Sequence, residues 1–127
     1  MMKANDYQAL AMRTNDGMSN DRLAKKVADS ADSNIELGLM VQAAFGLSGE
    51  VGELNDIIKK WIFHEKEMDW EHFEKEIGDI CWYIAAMCKA INVDFSDVLQ
   101  KNVDKLKSRY PEGFDVFLAN HRKASDI

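Results

Sequence analysis

Two long stretches of this chain place apolar residues at steps of three and four. Met40, Ala44, Leu47, Val51, Leu54, Ile58 and Trp61 form the first series; Phe73, Ile77, Ile80, Ile84, Met87 and Ile91 form the second. That period belongs to the α-helix, whereas a half-buried strand alternates every two residues. The single proline, Pro111, interrupts neither series, and strand-like alternation is absent. An all-α chain is therefore expected. Ser33 or Asn34 would cap the first long helix, which would end between His64 and Met68. Asp69 would cap the second. Asn92 and Val93 would link it to a last helix opening at Asp94, with Leu99, Val103, Leu106 and Tyr110 facing inward and Pro111 as its stop. Shorter helices are expected from Asp6 to Arg13, closed by Thr14-Asn15-Asp16-Gly17, and after Ser19 through Leu23 and Val27.

The 127 residues fit one domain, spanning 1–127 with its core at about 34–114 and a loose polar tail at about 120–127. Sixteen basic against 22 acidic residues leave a net charge of −6. Such a balance disfavours a nucleic-acid polymer as partner, which needs a basic footprint. No apolar run approaches the roughly 20 residues that cross a bilayer, and MMKANDYQAL lacks the apolar core of a secretory signal. Cys81 and Cys88 form no C-x-x-C pair. They read as thiols of a cytoplasmic, membrane-free protein.

Four acids carry the chemistry. Glu50 and Glu53 stand three apart on the first long helix; Glu76 and Asp79 stand three apart on the second. Residues at that spacing share a helical face. Each acid directly precedes a residue of the apolar series, so both pairs fall at the edge of a helix–helix seam. Antiparallel packing would bring all four together. At an effective dielectric near 20, two like charges about 4 Å apart repel by on the order of 4 kcal/mol. A hard divalent cation resolves this, since Mg²⁺ takes carboxylate oxygens. As solvated surface acids the same residues would need no cation. Gly46, Gly49, Gly52 and Gly78 lie beside them inside predicted helices, where each glycine costs roughly 1 kcal/mol against alanine. Either the helices approach closely there, or backbone leaves room for a ligand.

Three segments, GLSGEVGEL (46–54), EKEIGDICWYI (74–84) and KNVDKLKSRYPEGF (101–114), together resemble the MazG-like all-α nucleoside triphosphate pyrophosphohydrolases. The family signature is E-x-x-E, a spacer, then E-x-x-D; here 22 residues separate Glu53 from Glu76. The resemblance covers about residues 34–114, and the amino-terminal YQALAMRT is similar to relatives found in phages and prophages. It implies a four-helix-bundle-like fold completed by oligomerisation, as a homodimer or homotetramer. It implies cleavage of nucleoside or deoxynucleoside triphosphates between the α and β phosphates, giving a monophosphate and pyrophosphate. Glu50, Glu53, Glu76 and Asp79 would hold Mg²⁺, with Mn²⁺ as a substitute, and either Glu50 or Glu53 would act as general base.

Asn102, Lys105 and Arg109 share one face of the last helix, a cationic stripe that suits a polyphosphate, with the Arg109 guanidinium forking onto phosphate oxygens; the matched segment implies phosphate or sugar contacts for Asn102 and Lys105. A solvated basic face near a helix C-terminus would look the same. Lys60 lies two turns beyond Glu53 and could reach phosphate. Tyr83, one turn beyond Asp79, is implied in the nucleoside pocket, and Trp61 and Trp82 could stack on a base or pack in the core. Asp69-x-x-His72 has ligand spacing but starts a helix away from the acid pairs, so a solvated pair is the expectation. Two rival functions fit the helices. A dinuclear iron or manganese bundle would use Glu-x-x-His pairs, and no glutamate here has a histidine three residues later. A non-enzymatic helical partner protein would need the acids only for solubility.

Overall fold

The computed structural model describes residues 1–125. Among them, every regular element is helical. The order is α1 (Ala4–Ala11), a 3₁₀ turn (Met12–Thr14), α2 (Ser19–Ser30), α3 (Leu37–Phe63), α4 (Trp70–Ala90), α5 (Phe95–Arg109) and α6 (Val116–Asn120). The all-α expectation is met.

Most tertiary packing lies between α3 and α4. They run antiparallel: Glu36 N–H donates to Ala90 C=O at 2.8 Å at one end, and Trp61 meets Trp70 edge-on at 6.1 Å at the other. Asp69 caps α4 as expected, its side chain accepting from His72 N–H at 3.0 Å. The start of α3 differs from expectation. Ser33 and Asn34 do not cap it; Ser33 is drawn into a turn, its hydroxyl donating to Ser30 C=O and accepting from Ile35 N–H. The helix opens at Leu37 instead. Glu65 (φ 53°) and Asn92 (φ 56°) take left-handed backbone at the two turns that follow α3 and α4.

The seam follows much of the expected apolar series, with Met40, Leu47, Leu54, Ile58, Phe73, Ile80, Ile84 and Met87 half-buried, but its most buried positions are others. Ala43, Ala86, Cys88 and Ala90 are buried, together with Glu76. Val51, Ile77 and Ile91, all placed in the expected stripes, stay exposed, as does Ala44. Small residues at the contact let the two backbones approach, and each long helix keeps a second apolar face outside. Leu99, Val103 and Leu106 do not face inward either: α5 barely touches α4, and all three are exposed.

The carboxyl-terminal segment also departs from expectation. Asp115 caps α6 by accepting from Leu118 N–H at 2.9 Å, where no helix was foreseen. His121, Arg122, Lys123 and Ser125 then line a cavity with α5. The last two positions of the expected polar tail lie outside the described residues.

Candidate metal centre and substrate cavities

The antiparallel register sets the middle of α3 against the first third of α4. Glu50, Glu76 and Asp79 converge there, with one carboxylate oxygen of each within 4.8 Å of the others. Glu76 is 6% exposed. Its Oε1 lies 2.8 Å from His72 Nε2, and its Oε2 is buried with no hydrogen-bond partner among the described residues. Loss of water pushes the Glu50 carboxyl above its ordinary range; the adjacent Glu76 carboxyl and the charges of Glu53 and Asp79 push it the same way. Carboxylates this close need a shared proton or a cation. Three hard oxygen donors with an orphaned buried oxygen fit a divalent cation such as Mg²⁺. No histidine joins the trio among the described residues, as a Glu-x-x-His site would require.

Glu53, expected with them, lies outside this group. It lines an adjoining cavity of about 420 Å³ with Gly49, Gly52, Asp56, Lys60, Trp61 and His72. Glu53 shares a face of α3 with Glu50 but lies nearly one turn further along the axis, towards the α3–α4 loop. Lys60 faces the same cavity, but its ammonium sits on Asp56 at 2.5 Å. Lys59 holds the same carboxylate at 2.6 Å. The two ammoniums pull the Asp56 pKa down to about 2.

Tyr83 stands where expected, with Glu50, Asp79 and Trp82 around a shallow opening of about 360 Å³. Its ring lies on Gly46; a Cβ at that position would overlap three of its ring carbons. Close approach therefore explains Gly46. Gly49, Gly52 and Gly78 leave open space, and the first two border the larger cavity.

The expected cationic face divides. Asn102 is exposed. Lys105 and Arg109 line a cavity of about 380 Å³ with Ser108, His121, Arg122 and Lys123. Among the described residues no acid lines it, in a chain of net charge −6. The ring of His121 stacks on Phe117 at 3.9 Å. The contributions of α6 and of residues 121–123 were not legible beforehand. Asp115 preceding Val-Phe-Leu-Ala was the available signal, an N-cap before an apolar run. His72 stays half-exposed and outside the acid trio, but its ring pairs with an acid of the site rather than with Asp69. Its partner is Glu76, four residues on, and that i, i+4 spacing was present in the sequence.

A family model for the MazG nucleotide pyrophosphohydrolase domain matches residues 42–114, more than half of the chain. The chain is also 36% identical over 73 residues to the Gene 37 protein of Mycobacterium phage L5. That match covers 54% of this chain and 63% of the phage protein, so the chain spans less than two thirds of that relative's length. No solved structure matches. Among the described residues, no helix is long and apolar enough to cross a membrane.

Proposed function

The chain belongs to the MazG nucleotide pyrophosphohydrolase family, and from that premise we propose that it hydrolyses nucleoside or deoxynucleoside triphosphates between the α and β phosphates. The products are a nucleoside monophosphate and pyrophosphate. The observation that carries this reading is the convergence of Glu50, Glu76 and Asp79 within 4.8 Å, at the positions of the family's acid signature. These three would hold Mg²⁺ or Mn²⁺. Bound there, the ion would supply charge neutralisation for the triphosphate and Lewis-acid assistance to hydrolysis.

The remaining work falls to the chain's own groups. Glu53, outside the trio and lining the larger cavity, would take the proton of the attacking water. As the water oxygen bonds to phosphorus, the α–β bridge breaks and pyrophosphate departs with the bridging electrons. Tyr83 and Trp82 border the acid trio and would confine the nucleoside. Lys105 and Arg109, with Asn102 on the same helix face, would meet phosphate oxygens, the guanidinium by its planar fork. Lys60, shared with Asp56, would assist only by leaving that partner.

The basic face of α5 reaches the acid trio most simply if a second copy delivers it. The chain exposes 10606 Å², whereas a compact chain of 14.5 kDa exposes about 6,900 Å². The excess, about 3,700 Å² on one chain, is well above the roughly 800 Å² that each partner buries in a standard interface. It is carried by Phe45, Trp82, Leu99, Val103 and Leu106, among others. A homodimer or homotetramer in the cytoplasm would cover this surface. Light scattering on the purified chain should give a mass of at least two copies. A screen of canonical and damaged NTPs and dNTPs with Mg²⁺ or Mn²⁺ tests the reaction. Pyrophosphate release that disappears in Glu50→Gln and Asp79→Asn, with helix content kept, is expected. Orthophosphate alone from every substrate would defeat it.

A further inference from the structure

We infer that His72 is a positioning residue that sets the carboxylate of Glu76 for a divalent cation, an inference that rests on reading Glu50, Glu76 and Asp79 as the ligands. The argument begins at the N-terminus of α4. Asp69 accepts from His72 N–H at 3.0 Å, which fixes the backbone of the first turn. One turn later the side chain of His72 reaches Glu76, with Nε2 2.8 Å from Oε1. The imidazole is half-exposed, while the carboxylate it meets is buried.

A buried carboxylate has few ways to replace lost water. Here one oxygen finds the imidazole N–H and the other finds nothing among the described residues. The terminal torsion of a glutamate is soft and roughly two-fold, so without a fixed partner its oxygens would exchange and the plane would turn. The bond to His72 stops that rotation and leaves one oxygen available to a ligand. His72 is not itself in the converging group. It also borders the cavity that holds Glu53 and Trp61, so it stands between the acid trio and that cavity. Partners behind a ligand in this way commonly matter 10–100-fold in metal affinity (an order-of-magnitude figure).

The test measures Mn²⁺ binding by the full chain without nucleotide, from the loss of the free-ion electron paramagnetic resonance signal. His72→Phe keeps a flat ring but removes the donor; it should raise the Mn²⁺ Kd roughly 10-fold or more. His72→Gln, whose amide N–H can reach the position of Nε2, should restore affinity to within about three-fold of the native chain. Glu76→Gln is the control for the ligand set. Circular dichroism and Tm should stay close to native in all three; if the phenylalanine variant does not fold, His72→Ala replaces it. Weakened binding in Glu76→Gln with native binding in the donor-less variant would overturn the role of His72 and leave the metal reading standing. Loss in the donor-less variant that glutamine does not repair would overturn it too, because packing rather than the hydrogen bond would then be the cause. Native binding in Glu76→Gln would remove the metal reading, and the inference with it.

Discussion

Replacing Gly46 with alanine separates helix propensity from packing at one position. In an open helical site the change stabilises by about 1 kcal/mol. Gly78, with no atom near its missing Cβ, is such a site. At Gly46 the new methyl would fall on the body of the Tyr83 ring rather than on a flexible tip. A tyrosine ring cannot yield by a few tenths of an ångström there; it must change rotamer or push α3 and α4 apart. Overpacking of this kind costs about 1–3 kcal/mol. Offset by the propensity gain, Gly46→Ala should be neutral to about 2 kcal/mol destabilising, and Gly78→Ala stabilising by about 1 kcal/mol. Urea unfolding at one fixed protein concentration, since assembly would couple to stability, reads both values. Adding Tyr83→Ala removes the obstacle, so Gly46→Ala should become stabilising in that background, with a coupling of about 1–3 kcal/mol. If Gly46→Ala stabilises the native chain as much as Gly78→Ala does, the close approach of the ring is wrong.

Two further outcomes follow from the acids. The Asp56 carboxyl has a folded pKa of about 2 against an ordinary 3.8, so its ion pairs with Lys59 and Lys60 stabilise above about pH 4, and that contribution is lost as pH falls towards 2. Stability against pH for the native chain and Asp56→Asn should therefore diverge above pH 4 and converge near pH 2; parallel curves would contradict the pairing. Glu50 has the opposite sign: its folded pKa is raised above 4.5, so its contribution is fully present below 4.5 and is lost as pH rises through the folded value. Without divalent cation, Glu50→Gln should thus raise Tm at pH 7 and lose that advantage below pH 4.5. Mg²⁺ at one hundred times the native Kd should stabilise the native chain by about 2.7 kcal/mol and this variant by less. Equal metal response in a thermal shift assay would count against Glu50 as a ligand.

Local rules read much of this protein directly. The steps of three and four gave helices in the right places, and Asp69 capped α4 because a side-chain acceptor before a helix needs only the backbone that follows it. Glu76 and Asp79 lie together because three residues make nearly one turn. Rotation about each helix axis was another matter. Both long helices are apolar on more than one side, so periodicity alone could not say which side would form the seam. Burial of Ala43 and Ala86 and the close approach of Tyr83 to Gly46 set small residues deepest in the seam. That choice put Glu76 inside and left Ile77 outside, and Glu53 stands outside the group formed by the other three acids. The pairing of His72 with Glu76 gained its meaning only when α3 took water away from the carboxylate. The identity and spacing of the acids were properties of the chain. Which of them share a pocket, and which oxygen is left without a partner, were decided by how two helices met across distant parts of the sequence.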